Sequence, residues 1–179
     1  QIITGNPKAL QPMQAQLQIL TESKIRDALL NSVQSAQPND QIDIAVFYLS
    51  HRGIINAIKQ AHQRGVIIRV VLDPNEDAFG RKKNGIPNRQ VAMELNTAGV
   101  PVRWCNTNGE QCHSKILLKT SPKTAQSELI LGSANYTRRN LDNLNLETNV
   151  RYVAPTNDPT IQDAKAYMQR VWNNENGQH

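Results

Sequence analysis

The chain has 179 residues, enough for one domain with a real hydrophobic core. Lysine and arginine number 20 against 15 acidic residues, a formal net charge of +5 and a pI near 9.4, which favours anionic partners: phospholipid headgroups, nucleic acid or another acidic surface. No apolar run is long enough to span a bilayer as a helix, and no signal peptide is visible.

Residues 1–20 carry Pro7, Pro12 and many glutamines and read as an irregular lead-in, the end of a linker from a preceding domain. The chain opens on Gln1, not Met, so it reads as a processed product or an excised piece. Membrane association or export would then be carried by other parts of a parent protein. The domain proper is expected over residues 21–179. Thr21 has a side chain suited to a helix N-cap, and Ile25, Ala28, Leu29 and Val33 follow at helical spacing. Pro38-Asn39-Asp40 should turn the chain.

Gln41 to Leu49 reads as a strand, with Ile42, Ile44, Val46 and Tyr48 on one face and Ala45 and Phe47 on the other. A strand apolar on both sides belongs in a sheet covered by helices on both sides. Ser50 is the expected cap of a helix carrying Ile54, Ile55, Ile58 and Ala61, which Gly65 would end. Val66 to Leu72 is a second apolar strand. Strand–helix–strand at this spacing implies a right-handed crossover and parallel pairing.

Asp73-Pro74-Asn75 leaves the sheet for a long polar loop, Glu76 to Pro87, holding Arg81-Lys82-Lys83. Lys82 and Lys83 are candidates to touch a phosphate-bearing ligand; a solvated charge run is the plain alternative. Asn88 starts a third helix with Val91, Ala92, Leu95 and Ala98 inward and Gly99 at its end. Val100 to Trp104 is a short strand, and a hairpin between Val102 and Leu118 would make that part of the sheet antiparallel. The fold class expected is α/β: a mixed, mostly parallel sheet sandwiched between helices. Cys105 and Cys112 flank a polar turn and can pair in an oxidising compartment. Two thiols and His113 do not complete a zinc set, so no metal is expected.

The stretch from Gln111 to Glu147 carries the chemistry. If Ile116-Leu117-Leu118 lies in a strand that takes in His113 and Lys115, those two side chains point the same way. An imidazole beside a fixed ammonium suits reaction at an anionic phosphoryl group. A second strand, Glu128 to Leu131, ends at Gly132, where a sharp turn can deliver Ser133 and Asn135 as hydrogen-bond donors. Glu147 is placed to hold the histidine ring from behind. Arg138 and Arg139 either hold an anion near the site or are surface charges. His51, His62 and His179 read as ordinary polar residues. Asn145 to Val153 reads as a strand with Leu146 and Val150 inward, and Asp158-Pro159 as the cap and first turn of a last helix bearing Ile161, Ala164, Met168, Val171 and Trp172. The tail from Asn173 should fray.

His113-x-Lys115, Gly132-Ser133-x-Asn135 and Asn145-x-Glu147 together resemble the HKD motif of the phospholipase D superfamily, whose pattern is H-x-K-x4-D, a short gap, then G-S-x-N. Thr120 stands where that family usually has Asp, and the gap before Gly132 is longer than usual. Residues Asp73 to Ala92 are similar to bacterial phospholipase D-like proteins, in which such loops border the active-site mouth. The resemblance implies two-step phosphodiester chemistry without a metal or other cofactor. One histidine, His113 or its counterpart, would attack phosphorus to give a phosphohistidine. A second histidine would protonate the leaving oxygen and then activate water or an alcohol. Lys115 and Asn135 would hold the non-bridging oxygens, with Ser133, Arg138, Lys82 and Lys83 binding substrate.

This chain holds one such motif, so the second histidine must come from elsewhere. It comes from a copy across a two-fold axis, or from an upstream half of a bacterial two-motif enzyme of which this is the C-terminal half. The Gln1 start and the lead-in favour the second arrangement, in which the isolated domain would be weakly active or inactive. Phospholipid is the favoured substrate, acted on by hydrolysis or phosphatidyl transfer. A nuclease of the same superfamily is the alternative, disfavoured by the 4% aromatic content, which leaves few stacking platforms. A non-catalytic module binding anionic polymers or a partner is the third reading, and Thr120 gives it room.

Overall fold

The computed structural model describes residues 14–74, 88–105 and 110–174. Seven strands form one sheet: β1 (Gln16–Thr21), β2 (Gln41–Val46), β3 (Ile67–Leu72), β4 (Val102–Trp104), β5 (Lys115–Ser121), β6 (Gln126–Gly132) and β7 (Thr148–Pro155), in the order β1-β7-β6-β5-β2-β3-β4. Among the described residues five helices join them: α1 (Ser23–Gln34), α2 (Arg52–Gln63), α3 (Asn88–Thr97), the short α4 (Arg138–Leu141) and α5 (Pro159–Asn173).

The double-sided apolar pattern of β2 has the expected consequence. Ile42, Ile44 and Val46 face a core shared with Ile25, Leu29 and Val33 of α1, Ile54, Ile55 and Ile58 of α2, and Leu95 of α3. Ala45 faces the opposite core, with Ile116, Leu118 and Leu129 beneath Ile161, Ala164, Met168 and Val171 of α5. The sheet is therefore sandwiched: among the described residues α1 to α4 lie on one face and α5 on the other. A single helix does not cover that second face, so Leu17 and Ile19 of β1 stay 67% and 61% exposed.

The sheet is mixed, but the balance differs from expectation. Only β2–β3 and β3–β4 are parallel; β1–β7, β7–β6, β6–β5 and β5–β2 are antiparallel. The hairpin between Val102 and Leu118 does not form. The crossover through α3 places β4 beyond β3 at the sheet edge, whereas β5 takes the open side of β2, Leu117 opposite Ile44. The lead-in reading also fails in part: Gln16 to Leu20 form an edge strand on β7. Alternating glutamine and aliphatic residues (Gln16, Leu17, Gln18, Ile19) carry that strand signal.

Two cap assignments shift by one residue. Thr21 closes β1, and Glu22, with φ 53° and no side-chain cap, makes the abrupt change from strand to α1. His51, not Ser50, caps α2: its ring accepts from the Ile54 amide and meets Asp142 Oδ1 at 3.0 Å. Gly65 ends α2 at φ 91°, as its lack of a Cβ permits. Asp158 caps α5 through the Thr160 and Ile161 amides. Leu146 is 88% exposed, because β7 begins only at Thr148.

Candidate active site

His113 stands two residues before Lys115, which is the first residue of β5. Alternation brings the two side chains together as expected: Lys115 Nζ lies 2.7 Å from His113 Nδ1 and 3.1 Å from Nε2. An ammonium can only donate, so the ring nitrogen facing it is unprotonated. Burial, and then the charge of Lys115, hold His113 below its ordinary pKa, with Asp73 pulling the other way. Burial likewise lowers Lys115, opposed by the charge of Glu147. Burial thus disfavours the charged form of both partners, and the Glu147 carboxylate favours the charge on Lys115.

The bed under His113 comes from the C-terminal ends of β2 and β3. The Phe47 ring lies 4.8 Å from the imidazole, centroid to centroid. Asp73 accepts from the Cys112 amide at 2.8 Å, and Cys112 is joined to Cys105 by a disulfide, with Cα atoms 6.2 Å apart. Buried Asn88 ties these ends together, donating to the carbonyls of Phe47 (2.7 Å) and Asp73 (3.1 Å) and accepting from the Leu49 amide (3.0 Å). On the other side Ser114 Oγ meets Tyr167 OH of α5 at 2.5 Å.

The opposite wall rises from the ends of β6 and β7. Gly132 is required there by close approach: a Cβ would fall 2.5 Å from Asn149 Cα and against the Thr148 carbonyl. Just beyond it, Ser133 donates to Glu147, and Asn140 Nδ2 donates to the other carboxylate oxygen at 2.6 Å. Asn135 Oδ1 accepts from the Tyr48 amide at 3.1 Å, which leaves its NH2 without a partner among the described residues. Between the walls lies an open hollow of ≈ 480 Å³ bordered by His113, Lys115, Ser133, Leu131 and Tyr167.

His113, Lys115 and Ser133 thus meet at one hollow, and Asn135 is pinned beside it through the chain that carries Phe47. Glu147 does not hold the histidine ring; Ser133 and Asn140 occupy its carboxylate, and it acts on Lys115 by charge. Arg138 is exposed at the start of α4 and does not border the hollow. Lys82 and Lys83 lie outside the described residues. Thr120 sits at the far end of β5, its hydroxyl 3.1 Å from Ser127 Oγ, so the missing Asp touches the scaffold and not the hollow. Among the described residues no three His, Cys, Asp or Glu side chains cluster as a metal site. Sequence reasoning missed Asp73, Phe47 and Tyr167. Asp73 had a signal, a carboxylate ending a buried parallel strand, the usual place for sites in such sheets.

A family model described as cardiolipin synthase, PLD-like domain matches residues 29–172. No curated protein sequence matches the chain. Among solved structures, Nuc of Salmonella typhimurium, a phospholipase D family member, is 21% identical with a TM-score of 0.69, covering 89% of this chain and 95% of its own. NucT from Helicobacter pylori is 20% identical with a TM-score of 0.64, covering 89% and 97%. Phosphatidylserine synthase of Haemophilus influenzae is 13% identical with a TM-score of 0.70, covering 91% of this chain but 40% of its own. The fold thus occurs both nearly alone and as less than half of a larger chain.

Proposed function

The chain belongs to the phospholipase D-like family, and from that premise we propose that it is a phosphodiesterase or phosphatidyltransferase domain acting on phospholipid through a phosphohistidine at His113. One observation carries the reading: the His113 ring and Lys115 Nζ, 2.7 Å apart, stand together on the rim of an open hollow. The imidazole nitrogen attacks phosphorus and the bond to the leaving alcohol breaks, its oxygen taking a proton from a second histidine. Water or another alcohol then gives its proton to that second histidine and attacks phosphorus, and the P–N bond breaks. Lys115 and the free amide of Asn135 meet the charge on the non-bridging oxygens, where fixed donors count most. Ser133 lines the entrance, and Lys82, Lys83 and Arg138 supply long-range attraction to the anionic headgroup.

The second histidine comes from another domain of this kind, in the same parent chain or in a second copy. The apolar strip that α5 leaves open, Leu17 and Ile19 of β1 running on to Leu131 of β6, adjoins the hollow and suits such a partner. The family description favours phospholipid. The net charge of +5 keeps a nucleic acid phosphodiester as the second reading. The test is turnover of phosphatidyl vesicles and of a single-stranded oligonucleotide, with acid-labile ³²P trapped on the protein. Label on wild type from lipid and none on His113→Ala is expected. Label from the oligonucleotide alone would replace lipid by nucleic acid, and no label from either would sink the enzyme reading.

A further inference from the structure

We propose that the Cys105–Cys112 disulfide and Asp73 form a latch that positions His113, so that the site is competent only with the bridge closed. This rests on the reading of His113 as the nucleophile. Cys112 is the residue immediately before His113, and three restraints converge on it or its neighbour. Its sulfur is bonded to Cys105, which is 2% exposed and whose amide donates to the Leu72 carbonyl at 2.8 Å. Its amide donates to Asp73, itself 3% exposed. The Ser114 carbonyl accepts from the Phe47 amide at 3.0 Å. The histidine precedes its strand and lacks β-ladder bonds of its own, so these restraints replace the ladder. The Cys105 anchor lies at the sheet edge while β5 lies across β3 and β2 from it. The bridge therefore ties the residue before the histidine back to the end of β4.

His113 is faced by Phe47 from the end of β2, Asp73 from the end of β3 and Lys115 from β5. Tyr167 of α5 reaches it through Ser114, and Glu147 acts through Lys115. Opening the latch frees the ring from this surrounding. A displacement of about 1 Å in a reacting group is enough to cost on the order of 10²-fold in rate. The chemistry of opening balances with a dithiol: it gives two electrons and two protons to the S–S bond, yielding two thiols, and closes to its own cyclic disulfide.

The experiment measures phosphatidyl turnover and the NMR titration of the His113 imidazole, the signal assigned by its loss in His113→Gln. Dithiothreitol should lower kcat by about tenfold or more with KM little changed, and reoxidation should restore it. In the same sample the His113 pKa should rise toward the ordinary histidine value, because burial and Lys115 are what depress it. Cys105→Ser/Cys112→Ser should reproduce both changes and no longer respond to dithiol. Asp73→Asn can still accept from the Cys112 amide, so it keeps the latch and removes the charge; the His113 titration and the pH–rate profile should both move to lower pH. Undiminished kcat and an unmoved His113 titration after reduction would overturn the bridge's role, and undiminished kcat with an unmoved titration in Asp73→Ala, which cannot accept from the Cys112 amide, would overturn that of Asp73. Lack of turnover in oxidised wild type would sink the functional reading while the titrations still decide the latch.

Discussion

The two walls of the hollow are held by different means. The His113 wall stands on buried groups: Asp73, Asn88 and Cys105 are 3%, 0% and 2% exposed, and a covalent bond closes it. The Ser133–Glu147 wall stands on side-chain hydrogen bonds at the surface. Buried restraints fix position because the unbonded alternative is costly; surface bonds exchange readily with water. On the proposed reading the nucleophile His113 and Lys115 stand on the rigid wall, and Ser133 on the adaptable one.

The largest effect should come from the chemistry itself. His113→Ala removes the attacking nitrogen, and turnover should fall on the order of 10⁴-fold or more. Because His113 stands ahead of its strand at the rim of the hollow, outside both apolar cores, denaturant unfolding should change by only about 0.5 kcal/mol. A large stability loss would mean that the ring is structural. Asn88→Ala strikes the foundation of the rigid wall. It orphans the Leu49 amide and strips a donor from two carbonyls, so unfolding should become easier by about 3 kcal/mol, with activity falling through lost Phe47 and Asp73 placement.

Gly132→Ala attacks the adaptable wall at its one unyielding point. The new methyl meets backbone of β7, and a loss of about 1–3 kcal/mol is expected in thermal melts, together with weaker substrate binding. Unchanged stability would show that β6 and β7 part freely. Glu147→Gln is gentler. Glu147 raises the Lys115 pKa, so removing its charge lets Lys115 lose its proton at lower pH, and the alkaline limb of the pH–rate profile should move toward neutrality. A fall in kcat on the alkaline side should accompany it, with no change in unfolding beyond about 1 kcal/mol. If the profile stays in place, Glu147 serves Ser133 and Asn140 alone.

The smallest effect belongs to a pair remote from both walls. Glu94 is held down to about 2 by Arg52 and Lys59, which it meets at 2.7 Å and 2.6 Å. Its depressed pKa contributes stability present above pH 4.5 and lost as the pH falls toward 2. The carboxylate is part-exposed, so screening limits the effect: Glu94→Gln should cost less than about 1 kcal/mol at pH 7 and leave turnover untouched. A change in turnover would show that α2 and α3 couple to the site.

Much of the fold could be read directly. The apolar faces of α1, α2, α3 and α5 were legible because a 3.6-residue period marks which side is buried, and the double-sided pattern of β2 announced two helical layers. Pairing partners were not, because strand periodicity says which face is buried but not which neighbour lies beside it. That is why the sequence alone suggests a Val102–Leu118 hairpin, and why the residues of β1 read as a linker.

For the site, local pattern determined the meeting of His113 with Lys115, since residues two apart at a strand share a face whatever the sheet's order. Only the tertiary structure decided that Glu147 serves Ser133, Asn140 and Lys115 instead of the histidine, and that Asp73, Phe47 and Tyr167 surround it. Those contacts join chain segments far apart in sequence, and they follow from the sheet order β5-β2-β3, which no single segment encodes.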